Sequence, residues 1–423
     1  MGTGRMPVPS DSIRGGLNSA ERYLIHLVSC AFSGAPARDL PDSCTWRSIF
    51  DLACQNSIPG LLYSSVKHVS SIPNDVASAW AASANMTMLR AVQFEAERAV
   101  VCESLARAGF GYIVIKGPVV ARAYDAMEHR SMADNDILYG IIEADPSSGE
   151  YRVAGMTERD RRYTIERSQA TVQKIMRELG YTVVEQLPDA CDIHFAKPPF
   201  LSFELHHALM EIDSPFYSYY ANPWRRARKT GATPGDVSGE FHFSLEDHYV
   251  YLVTHAAKHF RRSGAGIRIL ADLIAYRRAY THELDMEYVH RELAVLGLLD
   301  FERELWCLAC TVVADGPFDE DAERALHYMI ACGTYGTEDE QFRLRLLRKS
   351  DEAKSGNMLF SEIRRFFSPE EACPRSLRPF AQRGLLRPLF PFARIAMFLS
   401  KAIAHPHEQL RKIRYLLFGQ GER

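Results

Sequence analysis

The stretch IVIKGPVVARAYDAMEHRSMADNDILYG, residues 113–140, holds the side chains best placed to do chemistry. Asp134 and Asp136 stand two apart in what reads as a strand, and side chains two apart in a strand point to one face. Asn135 then faces the other way. Two carboxylates that close repel unless a cation lies between them. Hard oxygen donors suit Mg²⁺, which commonly takes one or two carboxylates together with substrate phosphates. A lone D-x-D is frequent in surface loops, so its neighbours decide its meaning. Lys116 and Gly117 close an apolar run and open a helix-like stretch, and a helix start behind a glycine offers free N–H groups to an anion. Arg130 comes four residues before Asp134, within reach of a phosphate. Glu204, in the strand-like FLSFELHHAL, can complete a set of three carboxylates.

These residues need a sheet to hold them. YIVI, from Tyr112, is a β-branched run that reads as a buried strand, and PVVARAYDAM reads as a short helix with Pro118 in its first turn. DNDILYGII is a second strand, and YTVVEQL, DIHFAKP and FLSFELHHAL are three more, with a helix over IERSQATVQKIMRELG before them. The polar segment 144–164 reads as a loop or insertion. Before this core, NSAERYLIHLVSCAF, TWRSIFDLACQNS and the long run from Asn74 carry helical spacing, with Asn74 as the expected cap and Gly109 as the stop. After it, helical spacing returns from SLEDHYVYLVTHAAKHF onward. The expected class is α+β, mostly helical, with a small mixed β-sheet core between N-terminal and C-terminal helical regions. The expected boundaries are 1–17, a disordered lead; 18–110, helical; 111–235, the core; 236–340, helical; and 341–423, a basic helical or irregular tail.

The chain has 423 residues, 47% of them hydrophobic, enough for a sizeable core and more than one domain. The net charge of -3 argues against a partner made of long nucleic acid. Charge is uneven, however: residues 341–423 hold 17 Lys and Arg against 7 Asp and Glu. Such a tail suits a membrane surface or a partner protein, or is simply a solvated helical face. Nine scattered cysteines form no disulfide framework, which fits a reducing compartment. The opening residues lack the apolar stretch of a secretory signal, and no run approaches the roughly 18 apolar residues of a membrane span. A cytoplasmic location is expected.

The order of these motifs resembles the uncharacterised bacterial nucleotidyltransferase family of the polymerase-β-like superfamily. That family has an apolar strand ending in Lys-Gly, a helix ending in Tyr, an Arg, then Gly-Asp-x-Asp, and later a strand with an acidic residue, an apolar residue and His. Here these are Lys116-Gly117, Tyr124, Arg130, Ala133 through Asp136, and Glu204-Leu205-His206. A helix similar to YLVTHAAKHF and then IRILADL follow, and IRYLLFG near the C-terminus looks like the family's last element. The resemblance implies that Asp134 and Asp136 hold two Mg²⁺ ions, or Mn²⁺, with Glu204 as third acidic ligand. It places Lys116 and Gly117 at the phosphate-side turn, Arg130 on a phosphate or anchoring a loop, and His206 behind the ligands, orienting them. Lys116 or Lys258 would assist the leaving pyrophosphate. The implied reaction moves a nucleoside monophosphate from an NTP, ATP being the expected one, to a hydroxyl of a sugar, small molecule, protein or RNA end. Pro118 after Gly117, and Asn135 where the family has an apolar residue, favour the alternative of a relative that binds nucleotide or a partner without turnover.

Two weaker signals stand apart. His255 and His259 are four residues apart on one helical face, a possible metal pair or a support for the cleft. No glutamate follows the first, so the H-E-x-x-H pattern is absent. Cys307-x-x-Cys310 lies in an apolar helical run with no second such pair and reads as core packing.

Overall fold

The structure, a computed structural model, describes residues 16–155, 157–186, 190–231, 239–262, 264–334 and 387–404. It divides into two units, residues 1–260 with 265–334, and residues 261–264 with 335–423.

In the first unit, three helices, α1 (Ser19–Ser33), α2 (Trp46–Gln55) and α3 (Pro59–Val66), lead into the long α4 (Asn74–Arg107). Asn18 and Thr45 start α1 and α2 with reciprocal capping boxes. Pro73 holds the position before α4, and Asn74 is the first helical residue rather than its cap. Gly109, at φ +84°, turns the chain out of α4 and into the sheet.

The sheet opens with β1 (Gly111–Ile115), followed by the short α5 (Gly117–Ala121) and β2 (Asn135–Gly140). The segment expected to be a loop begins with a hairpin of β3 (Ile142–Ala144) and β4 (Tyr151–Val153), closed by an Asp145 turn, and then enters α6 (Glu158–Glu178). β5 (Thr182–Glu185), β6 (Asp192–Lys197) and β7 (Leu201–His206) follow, and after the single turn α7 (Tyr217–Tyr220) come β8 (Ala227–Lys229) and β9 (Glu240–Phe243). The order across the seven-stranded sheet is β5-β6-β7-β2-β1-β9-β8. β2 with β7 and β1 with β9 are parallel, and the other pairs are antiparallel. The sheet therefore draws a strand from beyond residue 235, where the sequence pattern alone places only helices.

Strand alternation sorts the two faces. Ile137, Tyr139, Ile193, Phe195, Phe203 and Leu205 pack with Val101 and Leu105 of α4 and with Val172 and Met176 of α6. On the opposite face Ile113, Ile115 and Leu138 join the larger core. That core includes α8 (Leu245–Arg262), α9 (Arg268–Ala279), α10 (Met286–Val295), α11 (Leu299–Ala314) and α12 (Glu320–Cys332). Each fully buried large apolar side chain contributes roughly 1.5–3 kcal/mol, so both faces resist sliding of the strands. In the second unit the described residues form a 3₁₀ turn, Arg387–Leu389, and α13 (Phe390–Ala404). Most of the basic segment 341–423 lies outside the described residues, as does all of the lead before residue 16. No helix among the described residues is long and apolar enough to cross a membrane.

Candidate active site

On the face that carries Ile115 and Leu138, three adjacent strands also present Asp136, Asp192, His194, Ser202, Glu204 and His206. Register sets Asp136 of β2 beside Glu204 of β7, Glu204 beside His194 of β6, and His206 beside Asp192. Asp136, Glu204 and His206 bring one donor atom each within 4.8 Å of one another. His206 Nε2 lies 2.9 Å from Asp136 Oδ1 and 3.6 Å from Glu204 Oε2.

Lys116 reaches the same point by a different route. Alternation along β1 would turn it to the other face, but its backbone takes φ +53° and ψ −121°, which few non-glycine residues adopt. Its Nζ donates to Asp136 Oδ1 at 2.6 Å and lies 3.4 Å from both Glu204 Oε2 and His206 Nε2. Such strain, of order 1–3 kcal/mol, persists where the surroundings hold it, and here a buried ion pair does so. Burial opposes the ammonium charge, but Asp136 outweighs it and keeps Lys116 well above its usual range. Burial equally opposes the Asp136 carboxylate, and the Lys116 charge and the His206 hydrogen bond hold it below the usual carboxylate range.

Asp134 stands one residue before β2, half-buried, and is not among the residues whose donor atoms gather within 4.8 Å. Burial, then the charges of Asp136 and Glu204, push its carboxyl up to about 7, against the pull of Lys116 and Arg268. Three carboxylates thus face one near ammonium. The donor set suits a hard divalent ion, and the ammonium already held between Asp136 and Glu204 shows that this gap takes a cation.

Residues 42–144 and 163–313 match the model of an uncharacterised nucleotidyltransferase family. The chain belongs to that family. No curated protein and no solved structure matches it. The part that the nucleotidyltransferase model skips, 145–162, runs from the turn of the β3–β4 hairpin into the start of α6. The match ends before the IRYLLFG segment, which lies outside the described residues.

The other expected site residues of this family member have partners of their own. Arg130 is buried, and its guanidinium donates to both oxygens of Asp272, at 2.8 and 3.1 Å, while Tyr124 Oη donates to the same carboxylate at 2.8 Å. Arg130 thus anchors the loop before Asp134 to α9, one of the two roles expected of it. Gly117 serves that anchor, since a Cβ there would stand 3.1 Å from Arg130 Nη1. Lys258 pairs with Glu211 at 3.1 Å. His255 and His259 face each other with Nε2 atoms 3.2 Å apart. Burial and the His259 charge hold His255 well below the usual range, so its ring is neutral. Among the described residues no third donor joins that pair in a compact group. Asn135 points to the opposite face, where it accepts from Arg98 Nη1 at 3.0 Å and donates to the Phe94 carbonyl at 3.0 Å. It ties β2 to α4 and leaves the carboxylate face untouched.

Sequence reasoning missed Asp192 and His194. His194 Nε2 lies 3.4 Å from Asp192 Oδ1, and its Nδ1 lies 3.5 Å from Glu204 Oε1. The Asp192 hydrogen bond pushes its imidazole up to about 8. The signal was present in two neighbouring strands as Asp-Ile-His and Glu-Leu-His, an acid and a histidine two apart in each. Arg268 donates to the Ser131 carbonyl at 3.4 Å and adds its charge near Asp134.

Proposed function

We propose that this chain transfers a nucleoside monophosphate from a nucleoside triphosphate to an acceptor hydroxyl. The observation that carries the reading is the cation held between Asp136 and Glu204 on register-paired strands. When bound by Asp136, Glu204 and Asp134, Mg²⁺ or Mn²⁺ supplies charge neutralisation for phosphate oxygens and makes the acceptor hydroxyl more acidic. The chain's own residues do the rest. His206 fixes the Asp136 carboxylate, and the Arg130–Asp272 pair fixes the approach to Asp134. The acceptor oxygen bonds to the α-phosphorus, the bond to the bridging oxygen breaks, and pyrophosphate leaves toward the charge of Lys116. The hydroxyl proton passes to Glu204, whose side chain is 20% exposed against 4% for Asp136.

Binding without turnover is the second reading. One observation favours it: Pro118, at the start of α5, has no N–H to give a phosphate. Purified protein with Mg²⁺ and each of the four NTPs, ATP first, labelled at the α-phosphate, separates the two. Label should pass to a sugar, small-molecule, protein or RNA-end acceptor, with one pyrophosphate released per transfer. Nucleotide bound but never transferred across that panel selects the second reading, and no nucleotide bound at all rejects both. The eight cysteines among the described residues are all free thiols, which supports a cytoplasmic setting. The basic segment 341–423 is the proposed contact for a membrane surface or partner protein.

A further inference from the structure

We propose that Cys191, Asp192 and His206 bind a borderline transition-metal ion of the zinc type, behind the carboxylates of the nucleotidyl-transfer site. Their donor atoms lie within 4.8 Å of one another. His206 is 3% exposed, and its Nδ1 has no hydrogen-bond partner among the described residues. That nitrogen lies 3.5 Å from Asp192 Oδ2, a separation that two ligands of one ion would share. Thiolate, imidazole and carboxylate together favour zinc-like ions over magnesium, which takes oxygen ligands.

The strands build this set locally. Register places Asp192 opposite His206, and the Cys191 carbonyl accepts from the His207 N–H at 2.9 Å, closing the strand end where the thiol sits. Asp192 uses its other oxygen toward His194, so Oδ2 is the one aimed at the site. With Nδ1 on a metal, the ring proton must sit on Nε2, which is 2.9 Å from Asp136 Oδ1. Metal-bound histidines generally donate their other N–H to a carboxylate in this way. The ion would therefore fix the His206 tautomer that orients Asp136. Binding releases the Cys191 thiol proton to solvent and breaks no other bond. None of this requires that the protein transfer nucleotides.

The test is Co²⁺ titration of the full chain after treatment with a chelator. Stoichiometric Co²⁺ should give the near-ultraviolet absorption of a cobalt–thiolate bond, and Zn²⁺ should abolish it by displacement. Cys191→Ser should lose the band with its circular dichroism unchanged, Asp192→Asn should bind Co²⁺ at least about tenfold more weakly, and Asp134→Asn should keep the band in full. Absence of the band in the parent protein, or its persistence in Cys191→Ser, overturns the site. Where Cys191→Ser does not fold, unchanged Co²⁺ affinity in Asp192→Asn does the same.

Discussion

Lys116 Nζ lies 2.6 Å from Asp136 Oδ1, in the gap that Asp136 shares with Glu204. On the proposed mechanism an ammonium and a divalent ion compete for the same oxygens there. Lys116→Met removes the competitor, so Mn²⁺ should bind the nucleotide-free protein about tenfold more tightly, or ~1.4 kcal/mol. Transfer should nevertheless fall by about a hundredfold, because the charge that meets the leaving pyrophosphate is gone. Calorimetric titration with Mn²⁺ and a pyrophosphate-release assay read the two effects separately. Equal Mn²⁺ affinity in both proteins places the ion elsewhere.

The two aspartates of the D-x-D should differ in what they do to stability. Asp136 is held ionised by Lys116 and His206, whereas Asp134 is pressed toward its neutral form by burial and by Asp136 and Glu204. Asp136→Asn should cost about 3 kcal/mol, since it leaves a buried ammonium short of its partner. Asp134→Asn should raise the thermal midpoint at pH 8 in chelator, because it removes a repelled charge. Both should lower transfer by at least about a hundredfold. Thermal midpoints that move the same way in both variants would refute this account of the charges.

Alternation alone made Asp136 and Glu204 legible, because strand side chains repeat every two residues whatever the tertiary structure. Lys116 was found for its type, but its position was not legible, since a positive φ breaks the alternation that pattern reading assumes. Arg130 carries two expectations, a phosphate contact and a loop anchor, and the sequence does not choose between them. Proximity to Asp134 in sequence suggested a phosphate contact, while its partner Asp272 lies 142 residues away. Asp192 and His194 were on a recognised strand, yet only the register of β6 against β7 shows that they join the site. β9 is four residues long and pairs with β1 across more than a hundred residues of chain, so nothing local announces it.

The Arg130–Asp272 pair offers a test of anchoring against phosphate contact. Both side chains are buried, and one carboxylate serves Arg130 and Tyr124 together. Arg130→Met alone should destabilise by about 3–5 kcal/mol, because it strands a buried carboxylate. Arg130→Met with Asp272→Leu should recover much of that loss, a coupling of at least about 1 kcal/mol. Urea unfolding of the two single variants and the double variant measures it. Additive losses would free Arg130 from Asp272 and return it to the phosphate.

His248 sets a prediction for pH. It lies on α8, 3% exposed and stacked 5.6 Å from the Tyr276 ring, and neither ring nitrogen has a hydrogen-bond partner among the described residues. Burial, and next the Arg130 charge, push its imidazole down to about 3. An unfolded chain protonates a histidine near pH 6.5, so below that the unfolded state takes up a proton that the folded state refuses. Stability is unaffected by this group above about pH 6.5 and falls by up to about 1.4 kcal/mol per unit as pH drops toward the folded value. His248→Phe keeps a ring against Tyr276 and cannot titrate. The variant should therefore gain on the parent protein between pH 7 and pH 4 in urea unfolding, by more than about 2 kcal/mol. Other buried histidines, such as His255, lower both proteins alike and cancel in the difference. A constant difference across that range would mean that His248 takes its proton as readily folded as unfolded, and that the space around it admits a charge.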